Sequence, residues 1–293
     1  MNTSEMEIVP VASVGVHNLV GLFNDAYSQY YTEVKVNAGS LAALVYREDI
    51  CPERSFVAIK QDTPVGIVFL AIRGDHGYIC GMGVRQRFQG QGIGELLMRR
   101  ALEECVSLDL VSVQLEVVDA NFRAAALYRK LGFQRVRDVG VFACDSPDAG
   151  EAVNSESGLE LGTVRAADAV HLVAAFNEMA PAWQNQPASV LKFPGRFSSV
   201  VASENGRILG YLLYGAAGQD LLVADTAASP GLSYSKRHDV VVAMLNEACS
   251  KVAPLGARGY NIPVGGYQEE AMVSAGYEVT LALQEMVLCL RSL

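Results

Sequence analysis

The sequence holds no C-x-x-C pair and no cysteine with a histidine at ligand spacing; its six cysteines stand singly at 51, 80, 105, 144, 249 and 289. That argues against a zinc site and against a disulfide framework, and fits buried free thiols in a reducing compartment. No apolar run reaches the ~18 residues that would span a bilayer. The opening stretch MNTSEMEIVP has neither a basic residue nor an apolar core, so a secretory leader is not expected. A cytoplasmic chain without metal or membrane partner is the expectation. Basic residues are also scarce, with 23 Lys and Arg against 32 Asp and Glu and a formal net charge of −9. Phosphate-rich partners need clustered cations, so this balance weighs against nucleic acid. It serves solubility, and it would also suit a cationic amine as substrate.

What the chain does have is apolar content: 51% of its 293 residues are hydrophobic and 19% charged, enough for two ordinary domains. An internal repeat is visible. SFVAIKQDTPVGIVFL (55–70) resembles SVVASENGRILGYLLY (199–214), and LYRKLGFQRV (127–136) resembles AMVSAGYEVT (271–280). Gly66 and Gly210 lie 144 residues apart, as do Gly132 and Gly276. Upstream, HNLVGLFNDAY (17–27) matches VHLVAAFNEMA (170–180) at an offset of 153, so the second copy is shorter there by nine residues. The stretch DSPDAGEAVNSES (145–157) lacks apolar periodicity and reads as a linker. The expected domains are therefore 1–144 and 158–293.

In the first half, apolar spacing predicts a strand at 6–11 and helices at about 13–31 and 39–48. Strands at 55–60, 65–73 and 77–84 follow, with turns at Asp62-Thr63-Pro64 and Gly74-Asp75. After them come a helix to about 107, a strand at 111–118, a helix at 121–131 and a strand at 133–143. Antiparallel strands first and a β-α-β-α-β ending afterwards make an α+β fold, not a doubly wound sheet.

The stretch RFQGQGIGELL (87–97) places Gly90, Gly92 and Gly94 just ahead of a helix. Glycines there let an anion approach the main chain at the positive end of the helix dipole. A dinucleotide fingerprint does not fit, because the spacing is G-x-G-x-G, Arg85-Gln86-Arg87 intervenes after the strand, and three strands precede it. A nucleoside-triphosphate loop fails for want of Gly-Lys-Ser/Thr. A tight turn would require one glycine at positive φ; three exceed it.

Gln89-x-x-Gly92-x-Gly94 between YICGMGV and IGELLMRRALEE, followed by NFRAAALYRKLGF (121–133), resembles the GNAT superfamily of acyl-CoA-dependent N-acyltransferases. The motifs are specific over 77–133 and the resemblance extends over 1–144. It implies two tandem GNAT-like domains, each a mixed, mostly antiparallel sheet flanked by helices. It also implies an N-acetyltransferase that uses acetyl-CoA as co-substrate and transfers the acetyl group to a primary amine of a small molecule or peptide. The diphosphate would meet Gln89, Gly90, Gln91, Gly92, Ile93 and Gly94, with Arg85 and Arg87 available as added charge. Strands 77–84 and 111–118 would splay, and the main chain of Met82 and Val84 would pair with the pantetheine. Asn121 would cap its helix, touch the cofactor, or both.

The same resemblance gives Tyr128 as general acid, against ordinary packing beneath the sheet. The base is open: Glu116 leads, with Asp119, Tyr27, Tyr30, Asp75 and His76 as rivals. In the second half SYSKRH (233–238) falls over the glycine loop, Met272 over Tyr128 and Gly265 over Asn121, so that copy is read as lacking the cofactor loop. Its only tryptophan, Trp183 in MAPAWQNQP, either walls an acceptor cleft or packs in a core. A non-catalytic acyl-CoA sensor or scaffold is the alternative function.

Overall fold

The structure is a computed structural model that describes residues 6–32, 34–147, 158–193 and 195–292. Of the linker expected at 145–157, residues 148–157 lie outside the described ones. The elements run β1 (Met6–Pro10), α1 (Val16–Ala26), α2 (Ala38–Glu48), β2 (Phe56–Lys60), β3 (Thr63–Arg73), β4 (His76–Val84), α3 (Ile93–Ser107), β5 (Ser112–Val118), α4 (Phe122–Lys130) and β6 (Gln134–Cys144). After the undescribed stretch come β7 (Leu159–Arg165), α5 (Ala166–Ala169), α6 (His171–Phe176), α7 (Pro187–Val190), β8 (Phe197–Glu204), β9 (Arg207–Ala217) and β10 (Asp220–Ala228). The chain then closes with α8 (Tyr234–Val252), β11 (Gly256–Pro263), α9 (Tyr267–Ser274) and β12 (Glu278–Cys289).

Two compact units result, Met1–Val136 with Glu285–Leu293, and Arg137–Gln284. In unit 1 the strand order is β1-β2-β3-β4-β5, followed by the end of β12. β1 to β4 pair antiparallel and β4 meets β5 in parallel. β3 is buried without interruption from Val65 to Ala71, as expected of a central strand covered on both faces. α3 covers one face with Ile93, Leu97, Met98, Ala101 and Cys105. On α1, Leu19, Leu22 and Phe23 are buried, with Phe23 6.1 Å from the Phe69 ring. Gly66 is required by closeness: a Cβ there would lie 2.9 Å from Leu97 and 3.1 Å from Ile93.

Unit 2 repeats the plan in the order β7-β8-β9-β10-β11-β6, with β6 followed by the start of β12. Its Gly210 is crowded in the same way by Val240 at 2.7 Å. The irregularity in β4 falls at Cys80 and that in β10 at Ala224, again 144 residues apart. Trp183 is 1% exposed, so it is buried as core packing requires.

Three expectations change. The first long helix ends at Ala26, because Tyr27 turns its hydroxyl to the Met82 carbonyl and Tyr31 reaches the Ala120 carbonyl. The hairpin turn uses Gln61 and Asp62, both at positive φ, and Thr63 and Pro64 already belong to β3. The units are also not two contiguous stretches. Phe142 and Cys144 of β6 lie in the unit 2 core, whereas Met286, Leu288 and Leu290 complete the unit 1 core. β6 and β12 are repeats of one another, so each carries apolar spacing that could complete either sheet. Replacing Leu288 by Ala is expected to cost about 2–5 kcal/mol of unfolding free energy in a denaturant titration. A loss below ~0.5 kcal/mol would show that the chain's last strand is dispensable to unit 1.

Candidate active site

β4 and β5 share hydrogen-bonded register only from His76–Tyr78 to Ser112–Gln114. Among the described residues the two strands then part, leaving Ile79–Val84 and Leu115–Val118 without mutual pairing. Cys80 is the bulged residue at the point of departure. A bulge adds a residue to one strand and turns it away from its neighbour. The expected splay is thus present. The glycines of CGMG have a local cause: Cβ atoms at Gly81 and Gly83 would lie 3.4 Å from the Tyr27 hydroxyl oxygen and 2.9 Å from the Ala26 Cβ respectively.

Past β4 the chain makes one short helical turn and enters α3 through the glycine loop. Gly90 and Gly92 have φ of +78° and +80°, and Gly92 caps the helix. Two positions, not one, therefore need glycine for their conformation. Gly94 does not: its φ is not positive, and a Cβ there would make only ordinary contact with Met82 at 3.6 Å. The backbone N–H groups of Gly90, Gln91, Gly92, Ile93, Gly94 and Glu95 donate to no protein group among the described residues. Converging unbonded amides at a helix N-terminus form an anion cradle. The Gln89 N–H is not among them; it donates to the Gln86 carbonyl.

The side chains of the loop stay at the surface and bond back to the main chain. Gln89 donates to the Val84 carbonyl at 3.1 Å, and Gln91 donates to the Arg87 carbonyl at 3.4 Å while accepting from Lys60 at 3.3 Å. Arg85 is paired with Asp25 and donates to the Pro64 carbonyl. Arg87 lies over the Phe88 ring. Of the two arginines expected to lend charge, Arg85 is therefore committed to the fold.

Tyr128, on α4, is buried, with its ring centroid 6.0 Å from that of Phe133. Burial, with Tyr30 adding to it, raises its phenol well above the ordinary range, so it keeps its proton at neutral pH. Its hydroxyl makes no hydrogen bond to a protein group among the described residues. Tyr27 joins the same group: burial first, then Tyr30, Tyr128 and Cys80, push its phenol up. Asn121 accepts from the Ala124 N–H at 3.2 Å and is the N-cap of α4.

Glu116 is half-buried on β5 and accepts from the Tyr78 hydroxyl at 2.5 Å. Burial, then Glu116, Cys80 and Glu48, raise the Tyr78 phenol well above its usual range. Burial and Glu48 likewise keep Cys80 a thiol. Glu48, the last residue of α2, is 1% exposed and paired with Arg47. The rivals separate. Tyr27 and Tyr30 stand with Tyr128, whereas Asp75 and His76 sit at the opposite end of β4, His76 bonded to Ser112 and beside Asp75. Asp119 is exposed after β5. Sequence reasoning had no signal for Tyr78 or Glu48, because the contact that makes each of them relevant joins residues from different strands and helices. Among the described residues no group of three metal-ligating side chains converges, and no helix is long and apolar enough to cross a membrane.

In unit 2 the loop counterparts are occupied. Ser233 caps α8 by accepting from the Lys236 N–H, Lys236 pairs with Glu204 at 2.9 Å, and His238 bonds Asp239 and Ser274. Met272 is buried, and Gly265 turns with φ of +82°.

Comparison with known proteins bears on the family and the fold. Residues 19–133 match the family described as Acetyltransferase (GNAT) family. The chain is 30% identical over 103 residues to N-alpha-acetyltransferase 30 of Schizosaccharomyces pombe, covering 33% of this chain and 69% of that protein. It is 28% identical over 153 residues to N-alpha-acetyltransferase MAK3 of Arabidopsis thaliana, covering 50% and 76%. It spans about half the length of relatives in Bacillus subtilis and Dictyostelium discoideum, 56% and 49%. A GCN5-related N-acetyltransferase from Sphaerobacter thermophilus shares the fold over 99% of this chain and 97% of that one, with TM-score 0.75 and 16% identity. A tandem GNAT protein from the clavulanic acid biosynthesis pathway does so over 97% and 98%, with TM-score 0.67 and 16% identity.

Two measurements check the site's physics. Gly92→Ala, at positive φ, is expected to destabilise unit 1 by about 1–2 kcal/mol, while Gly94→Ala stays within about 0.5 kcal/mol. Tyr27, Tyr78 and Tyr128 all have raised folded-state pKa values. Their stabilisation is complete below the unfolded phenol pKa of about 10 and is lost as pH rises above it. A phenolate absorbance titration is expected to leave these three un-ionised until the chain unfolds.

Proposed function

The chain belongs to the acetyltransferase (GNAT) family, and on that premise we propose that unit 1 transfers an acetyl group from acetyl-CoA to a primary amine. The observation that carries this reading is the set of unbonded amides from Gly90 to Glu95 beside the parted ends of β4 and β5. A diphosphate suits the amides, and an extended amide-bearing arm suits strands that lack a partner. The residues that would hold acetyl-CoA are Met82 and Val84 through their main chain, Gly90 to Gly94 through their N–H groups, and Asn121. Gln89 would contribute by fixing the Val84 carbonyl.

Acetyl-CoA supplies an activated acyl group whose thiol, with a pKa near ~8.5, leaves readily once protonated. Tyr128 carries a proton that burial retains, and its hydroxyl is unengaged, so it can donate to the departing sulfur. Glu116 takes a proton from the acceptor ammonium, directly or through a water, while Tyr78 orients its carboxylate. Cys80, kept as a thiol, is a poor nucleophile, which favours direct attack by the amine over an acyl-cysteine. The relatives' names make the α-amino group of a peptide one acceptor to test, beside small primary amines. Unit 2 is the copy without a cofactor loop.

The test is a thermal-shift screen followed by a thiol-release assay. Acetyl-CoA is expected to raise the melting temperature and NAD to leave it unchanged. Thiol release should then depend on a primary amine drawn from a panel of peptides and small amines. Tyr128→Phe is expected to lower kcat by about 10²-fold or more with little change in acetyl-CoA binding. Unaltered turnover in that variant would remove Tyr128 from the chemistry.

A further inference from the structure

At the repeat spacing of 144 residues, Tyr267 and Gln268 of α9 stand in the places of Arg123 and Ala124 of α4. Their contacts show where side chains from these two positions go. The Tyr267 hydroxyl accepts from the Ala228 N–H at 3.2 Å, and Gln268 makes a long contact to the Thr226 carbonyl at 3.5 Å. Ala228 and Thr226 are the counterparts of Val84 and Met82. The Tyr267 ring also packs against Tyr234 at 6.2 Å and beneath the Arg237 guanidinium at 4.1 Å, at the start of α8. Tyr234 is the counterpart of Gly90. β10 pairs with β11 only over Asp220–Val223, as β4 does with β5 over its first residues. The two side chains therefore reach into the opening between the parted strands of unit 2 and onto the following helix N-terminus, and fill both.

Unit 1 carries the opposite pair. Ala124 offers a methyl group where unit 2 has an amide. Arg123 points to the loop: a Cβ placed on Gly90 would lie 3.4 Å from its Nη2. Among the described residues Arg123 has no carboxylate partner and no hydrogen bond, whereas Arg85 is paired with Asp25 and Lys130 with Glu95. A lone guanidinium over unbonded amides, in a chain of net charge −9, is matched to an anion.

We propose that Arg123 and Ala124 are the pair that determines which unit takes acetyl-CoA: Arg123 grips its diphosphate and Ala124 leaves the opening clear. Tyr267 and Gln268 close the same opening in unit 2. This rests on the reading of unit 1 as the acetyl-CoA site.

Calorimetry on the full chain tests it, with acetyl-CoA and its dephospho form, which keeps the diphosphate but lacks the 3′-phosphate. The unaltered chain is expected to bind one acetyl-CoA. Arg123→Ala should raise the Kd of both probes by about tenfold and flatten their salt dependence, and Arg123→Lys should recover part of the loss. Ala124→Gln should abolish binding while the melting temperature without ligand stays within a few degrees. An unchanged Kd in Arg123→Ala, a loss confined to acetyl-CoA and spared in the dephospho probe, or two sites per chain would each overturn the assignment. Absence of binding by the unaltered chain would instead overturn the reading of the site itself.

Discussion

Two parallel strands that stop pairing partway leave a row of backbone N–H and C=O groups without their sheet partners, and such groups must be satisfied. In unit 1 that parting follows Tyr78, at the Cys80 bulge. Most of the site can be traced to it. β4 swings away, the chain turns through Gly90 and Gly92, and α3 begins with its first amides unengaged. The Tyr27 hydroxyl meets the Met82 carbonyl and Gln89 meets that of Val84. Unit 2 has the same bulge and the same short parallel pairing, but meets the demand with Tyr267 and Gln268. One constraint has two solutions, one built from the chain's own side chains and one leaving room for another molecule.

Burial sets the chemistry that such an opening can support. Tyr27, Tyr78 and Tyr128 all sit where ionisation is disfavoured, so this end of the sheet is lined with hydroxyl donors at neutral pH. Against them stands Glu116, with Glu48 behind Cys80 and Tyr78. A proton acceptor on β5 and a proton donor on α4 are what an amine and a thioester would need to react directly. The proposed roles follow from that separation: Glu116 gains the proton the ammonium loses, Tyr128 gives one to the thiolate, and exchange with solvent restores both.

Much of the fold could be read from the sequence. The strands from β2 to β6 fall within about two residues of the positions their apolar spacing indicates, and the 144-residue repeat is matched by bulges at Cys80 and Ala224. The glycine loop was legible because positive φ and close main-chain approach leave few alternatives to glycine. The end of α1 was not. Tyr27, Tyr30 and Tyr31 continue a helical apolar stripe, and only their long-range contacts to Met82 and Ala120 show why the helix stops. Arg123 has the spacing of an ordinary helix residue, and only the fold brings its guanidinium to Gly90.

The sequence by itself determined which segments become strands and helices, where the tight turns fall, and that one half carries a glycine loop ahead of its long helix while the other does not. These follow from preferences within a few residues, which periodicity and glycine placement record directly. Tertiary structure alone decided that β6 passes into unit 2 and that the end of β12 completes unit 1. It also decided that Tyr78 holds Glu116 and that the Tyr267 hydroxyl takes the Ala228 N–H. Two copies of one pattern present interchangeable apolar edges, and a choice between equivalent partners is made by packing across the chain, which no local run of residues encodes.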